Sequence, residues 1–184
     1  MAGKLKSIAV YCGHQFGNDA DFVRDAAQIG EMLARNNIRL VFGGGNVGLM
    51  GTVANSALAA GGHVTGITTH NVVAKQEPLH EKLNHFEIVG GVNERKQKMF
   101  DLSDAFIILP GGTGTLNELT DIMTMQQIGE TNKPLFFMNT KNFWWPFARL
   151  LVHMKKNGFF VHPEDYNLHG AQTPAELMEM VLNY

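Results

Sequence analysis

Short apolar, β-branched runs alternate along the chain with longer segments whose apolar positions recur at helical spacing. Ser7–Cys12, Arg39–Phe42, His63–Thr68, His85–Val89, Ala105–Leu109 and Pro134–Met138 read as strands. Asp19–Asn36, Gly48–Ala60, Val92–Ser103, Thr115–Ile128, Trp145–Asn157 and Thr173–Leu182 read as helices. The strand Ala105–Leu109 (AFIIL) is apolar without alternation, as expected where helices cover both faces of a sheet. The pattern predicts an α/β fold, a Rossmann-like doubly wound parallel sheet flanked by helices. No Pro/Ser-rich linker, low-complexity tract or internal repeat interrupts it, so residues 1–184 read as a single domain. The longest irregular stretch, Thr69–Asn84, reads as a mobile loop beside a site.

In such sheets ligands bind outside the carboxyl ends of the strands, where loops feed helix N-termini. Three glycine-bearing loops occupy those positions: Cys12-Gly13-His14-Gln15, Gly43-Gly44-Gly45-Asn46-Val47-Gly48 and Pro110-Gly111-Gly112-Thr113-Gly114-Thr115. The third suits an anion best. Glycines there let backbone N–H groups approach a ligand at the start of a helix, and a phosphate fits that geometry. The competing reading is an ordinary turn, with Thr115 as N-cap and Glu118 as its capping-box partner. Neither nucleotide fingerprint fits well. No Lys follows a glycine cluster at Walker spacing, and Gly43-x-Gly45-x-x-Gly48 follows the second strand without the acidic residue that a dinucleotide site uses.

Composition narrows the classes. Fifteen Lys plus Arg against seventeen Asp plus Glu give a net charge of −2, so no basic field favours nucleic acid or an anionic membrane. No apolar run reaches the roughly 18 residues that span a bilayer, and Met1–Ile8 lacks a signal-peptide core, which predicts a cytoplasmic protein. The single cysteine, Cys12, permits no internal disulfide and reads as a small buried strand residue. His63, His70, His80, His85, His153, His162 and His169 show no metal-ligand spacing, so neither a metal nor a cofactor is expected. His14, in a strand-end loop, is a candidate substrate contact. Trp144-Trp145 and the methionines from Met123 to Met125 read as core or dimer contacts.

The charged run Asn93–Lys98 reads either as a solvated helix face or as a source of Arg95 for a phosphate, a ribose or a catalytic carboxylate. Taken together, GGGNVGLMG (Gly43–Gly51), ERKQKM (Glu94–Met99), SDAFIILPGGTGTLNEL (Ser103–Leu119) and Lys133-Pro134 closely resemble the LOG family of nucleotide phosphoribohydrolases, often labelled possible lysine decarboxylases. The likeness runs from Cys12-Gly13 to Gly158-Phe159. It implies a nucleotide-binding domain, usually a homodimer, that hydrolyses the N-glycosidic bond of cytokinin riboside 5′-monophosphates or AMP to free base and ribose 5-phosphate. By motif it implies Arg95 and Glu118 as catalytic residues and Gly111, Gly112, Thr113, Gly114 and Thr115 as the phosphate cradle. It further implies that Gly44, Gly45, Gly48 and Met50 help form the nucleotide pocket, with Lys96 beside the catalytic arginine.

The chain departs from the family pattern at His14-Gln15, at Val92, at Asn117 in place of the first of two glutamates, and at Met125 in place of a tryptophan. These changes line the expected pocket and bear on base specificity. A decarboxylase would need a Schiff-base lysine for pyridoxal phosphate, and Lys96 and Lys98 lie in no such context. The alternative to the hydrolase is a non-catalytic nucleotide- or cofactor-binding carrier of the same fold, which has no need of a carboxylate beside an anionic ligand.

Overall fold

A computed structural model describes residues 5–74, 82–160 and 162–184. Seven strands form one sheet: β1 (Ser7–Tyr11), β2 (Arg39–Phe42), β3 (Val64–Thr69), β4 (His85–Val89), β5 (Ala105–Ile108), β6 (Leu135–Met138) and β7 (Leu168–Ala171). Their order is β4-β3-β2-β1-β5-β6-β7, and every neighbouring pair is parallel. The helices are α1 (Ala20–Arg35), α2 (Gly48–Ala59), α3 (His70–Ala74), α4 (Val92–Asp101), α5 (Thr113–Gln127), α6 (Trp145–Lys156) and α7 (Pro174–Asn183). The doubly wound α/β architecture expected from the sequence is the one observed.

Alternation along each strand divides the core in two. Ile8, Val10 and Cys12 pack with residues of α1, α2 and α7, whereas Ala9 and Tyr11 pack with Met99 of α4 and Leu119, Ile122 and Met123 of α5. The first layer is drawn close by Gly30, where an added Cβ would lie 2.2 Å from the Val53 carbonyl oxygen of α2. Among the described residues no helix is long and apolar enough to cross a membrane.

Three details differ from the sequence pattern. The edge strand β7 was not anticipated, because Leu168-His169-Gly170-Ala171 is short and half polar; pairing with β6 makes it a strand. Part of the Thr69–Asn84 stretch is helical as α3, and its residues 75–81 lie outside the described residues. Helix α5 starts at Thr113 rather than Thr115, with Gly112 as its N-cap.

Candidate active site

The chain order reverses between β1 and β5, where β1 turns toward β2 on one side and pairs with β5 on the other. Loops leaving the two strands must diverge there and open a crevice. The three glycine loops meet at this point. Gly13 N–H donates to the Pro110 carbonyl at 3.0 Å, and Leu49 N–H donates to the Gly13 carbonyl at 3.1 Å. Gly48 has a positive φ of 55°, and a Cβ on it would lie 2.3 Å from the carbonyl carbon of His14. The His14 backbone is thereby pressed into the junction while its side chain stays exposed. Gly44 and Gly45 are buried beneath, and Met50 is half-buried with its sulfur near Gly43.

Arg95, in the first turns of α4, reaches back under these loops. Its Nε donates to the Ile67 carbonyl within β3 at 2.9 Å, and Nη1 donates to Glu118 Oε1 on α5 at 3.2 Å. Its Nη2 lies 2.1 Å from where a Cβ of Gly43 would stand, so the guanidinium occupies space that glycine alone leaves free. Both side chains are mostly enclosed, at 17% exposure for Arg95 and 10% for Glu118. Burial pushes the Glu118 carboxyl up to about 7, against the opposing pull of Arg95. At neutral pH the group is therefore poised between its two protonation states. Glu118 spends its carboxylate on Arg95 and not on a helix cap, and no side chain caps α5. The capping-box alternative is thus overturned: Thr115 lies inside the first turn, buried, with Oγ1 against Gly111.

Beside Glu118 a cavity of about 200 Å³ opens between α4 and α5. Asn93, Lys96, Gln97 and Phe100 line it from α4; Glu118, Asp121, Ile122 and Met125 line it from α5; Tyr11 forms part of its wall. Each helix contributes residues at spacing 0, 3, 4 and 7, which is one helical face. Phe100, Asp121 and Ile122 share these helical faces with the residues that the motifs mark, a periodicity that could have found them, whereas Tyr11 comes from β1 and carries no such signal. Lys96 turns to α5 and away from the glycine loops. It forms an ion pair with Asp121 and donates to Asn117 Oδ1 at 3.0 Å, so two of its partners come from the segment that carries Glu118.

The Pro110–Thr115 loop is open on its outer side. A Cβ on Gly112 or Gly114 would meet nothing within 4 Å, and Gly112, Thr113 and Gly114 are exposed. The first turn of α5 holds no acidic residue, so the positive end of the helix dipole is left for an anion. Five residues of helix, about 7 Å of axial rise, separate Thr113 from Glu118.

The residues set aside behave as follows. Cys12 is buried and burial pushes its thiol up, so it stays a protonated core residue. Trp144 and Met123 are buried, while Trp145 is half exposed at 54%. Among the described residues no group of three or more His, Cys, Asp or Glu is placed to hold a metal ion; His80 lies outside them.

The family model described as "Possible lysine decarboxylase" matches residues 50–181. A cytokinin riboside 5′-monophosphate phosphoribohydrolase of Rhodococcoides fascians is 38% identical over 84% of this chain and 78% of its own. The rice protein named cytokinin riboside 5′-monophosphate phosphoribohydrolase LOG is 34% identical over 98% of this chain and 74% of its own. The Arabidopsis thaliana protein LOG1, of the same name, is 32% identical over the whole chain and 86% of its own. Among solved structures, the molybdenum cofactor binding protein of Rippkaea orientalis superposes with a TM-score of 0.71 at 22% identity, over 98% of this chain and 97% of its own. The Moco carrier protein of Chlamydomonas reinhardtii gives 0.72 at 18% identity, over 97% and 96%. Those two likenesses concern the fold alone. The sequence matches go further: the chain belongs to the LOG family, the phosphoribohydrolase relatives whose model carries the lysine decarboxylase label.

Proposed function

We propose that the chain hydrolyses the N-glycosidic bond of a nucleoside 5′-monophosphate, a cytokinin riboside 5′-monophosphate or AMP, to free base and ribose 5-phosphate. The observation that carries this reading is the enclosed Arg95–Glu118 pair one and a half helical turns below an open, uncapped glycine loop. The 5′-phosphate sits on the backbone N–H groups of Gly111–Thr115, and the ribose runs down α5 toward Glu118. Water adds to C1′ as the bond to the base nitrogen breaks. The bonding pair leaves with the base, which ends with one proton of the water while the hydroxyl ends on the sugar.

The transition state carries positive charge on the ribose, and a carboxylate at that point stabilises it more than it stabilises the ground state. Glu118 supplies that charge. Arg95 holds the carboxylate in place through a contact that is itself anchored to Ile67 and Gly43, so the geometry exists before substrate arrives. His14 and Gly48 line a cleft on the other side of the crevice, with Gly44 and Gly45 buried beneath and Met50 half-buried behind Gly43, and Lys96 holds the α4 and α5 rims of the cavity together. A carrier would gain nothing from a half-ionised carboxyl buried beside an anionic ligand, which favours the hydrolase.

A homodimer fits the outer surface of α5. Leu116, Thr120, Thr124 and Ile128 recur every fourth residue, all exposed, and the two threonine hydroxyls donate back to the Leu116 and Thr120 carbonyls. Their methyl groups are left facing outward with Leu116 and Ile128, an apolar stripe that a second copy of α5 matches by symmetry.

Release of free base from AMP and from adenosine tests the reading. AMP should be cleaved with a far higher kcat/KM, because binding of the remote phosphate is expressed at the reacting carbon. Equal kcat/KM for the two would remove the phosphate anchor and the roles of Gly111, Gly112 and Gly114.

A further inference from the structure

Strand β1 ends on a polar group that the proposed reaction leaves unused. Tyr11 is 3% exposed, its ring stacks on Phe106 of β5 at 6.0 Å, and its carbonyl accepts from Leu109 N–H at 2.9 Å, so ring and backbone are both held in place. The side chain lies on the α4 and α5 face of the sheet and forms part of the wall of the Glu118 cavity. Its hydroxyl has no hydrogen-bond partner among the described residues. Among those residues Thr68 Oγ1 and Trp144 Nε1 are the side-chain polar atoms that are both sealed off and unpartnered. The Tyr11 oxygen is not one of them, because it stays open to the cavity.

The acceptors nearest to it are taken. Arg95 Nη1 donates to Glu118 Oε1, and Lys96 holds Asp121 in an ion pair. Burial, reinforced by the Glu118 carboxylate, pushes the Tyr11 phenol far above its ordinary range, so it remains a neutral O–H. Such a phenol is a hydrogen-bond donor and is neither a base nor a nucleophile. Around it the wall is apolar at Phe100, Ile122 and Met125, with Asn93 and Gln97 exposed at the rim. An apolar cavity of about 150 Å³ holds benzene, and this one, of about 200 Å³ and open at its rim, has room for a flat heteroaromatic base. Sugar hydroxyls can donate to the carboxylates of Glu118 and Asp121, whereas N3 and N7 of a purine only accept and need a donor.

We infer that Tyr11 is a further catalytic residue, whose hydroxyl donates a hydrogen bond to a ring nitrogen, N3 or N7, of the departing purine. The inference rests on the N-glycosidic reading of the Glu118 site. As the bond from C1′ to the base breaks, its electron pair moves onto the base and the ring nitrogens gain negative charge. A donor fixed beside them is therefore worth more in the transition state than against the intact substrate. Tyr11 keeps its proton throughout, since water supplies both the hydroxyl for C1′ and the proton for the base.

The test titrates adenine, 3-deazaadenine and 7-deazaadenine by calorimetry into the native protein and into Tyr11→Phe, with ribose 5-phosphate present. Each analogue has one ring nitrogen replaced by C–H. Adenine release from AMP and Tm are measured on the same two proteins. Tyr11→Phe should bind adenine about fivefold more weakly, and should bind one of the two analogues as well as the native protein does, because that analogue has already lost the contact. Its kcat for AMP should fall about tenfold or more. Its Tm should hold or rise, because the hydroxyl removed has no partner within the protein. The proposal is overturned by equal adenine affinity and equal kcat in the two proteins, or by a native protein that binds no adenine up to its solubility limit. A loss of the same size for all three ligands, with a lowered Tm, would make the hydroxyl a structural group. Failure of the hydrolase reading shows separately: a native protein that gives the expected binding pattern and releases no adenine from AMP would keep Tyr11 as a base contact and overturn its catalytic role.

Discussion

At Gly43 an added methyl would lie 2.1 Å from the Arg95 guanidinium, and at Gly48 it would lie 2.3 Å from the His14 backbone, whereas at Gly112 and Gly114 it would meet nothing within 4 Å. The two loops have nearly the same composition and the same place at a strand end. In the Gly43–Gly48 loop glycine is required by what the protein itself puts there: a charged side chain, a neighbouring loop, and positive φ at Gly44 and Gly48. In the Gly111–Thr115 loop only Gly111 is crowded, by Thr115, and the other two glycines leave room for something that is not protein. One loop thus makes room for Arg95, and the other is left open where the proposed reaction requires an anion.

The largest effect should come from the carboxylate that the two loops bring into register. Glu118→Gln is expected to lower kcat for release of adenine from AMP by about a hundredfold or more, with modest change in KM. Its stability should move the opposite way from that of a lost helix cap. Because the fold raises the Glu118 carboxyl from 4.5 to about 7, the folded state holds the proton more tightly than the unfolded chain. The native protein therefore loses stability as pH rises from about 4.5 to about 7, on the order of 1–3 kcal/mol. Glu118→Gln, which cannot ionise, should match the native Tm near pH 4 and exceed it above pH 7. A Tm below that of the native protein at pH 8 would return Glu118 to a structural role. In the native enzyme the same ionisation should make kcat/KM rise with pH through about 7.

Gly48→Ala tests the crowded loop by stability. With positive φ and a backbone contact at 2.3 Å, it should cost on the order of 2–4 kcal/mol, visible in urea midpoints. Gly43→Ala should spare stability more than activity, since the methyl displaces the guanidinium and not backbone. A loss in kcat of about tenfold is expected from the loosened Arg95–Glu118 contact. An unchanged kcat would show that Arg95 does not need its present position. The smallest change belongs to the open loop: Gly112→Ala should leave the free energy of unfolding within about 0.5 kcal/mol of native and raise KM for AMP several-fold. A Gly112→Ala protein that unfolds early, or binds AMP normally, would erase the distinction between the loops.

Much of this site was visible in the residues. Arg95 and Glu118 were identified by their motifs, and the glycine clusters by their position after apolar runs, since βαβ order and parallel pairing follow from local patterning. The expected N-cap at Thr115 failed for a tertiary reason: its hydroxyl turns in under Gly111, and Glu118 finds a stronger partner in Arg95 than in its own helix end. Strand β7 was hidden because four residues whose only large aliphatic side chain is Leu168 carry no period of their own.

The sequence by itself determined the alternation of strands and helices and the three glycine loops, because these depend on local periodicity and on residue type, and its motifs pointed to Arg95 and Glu118 through their resemblance to the family. Only the tertiary structure decided which glycines are filled and which are open, since that depends on Arg95 and Gly43 meeting across fifty residues of chain. It also decided the ionisation of Glu118, which burial raises and Arg95 opposes. Contacts of that range are set by how whole layers pack, and no segment of the chain encodes them alone.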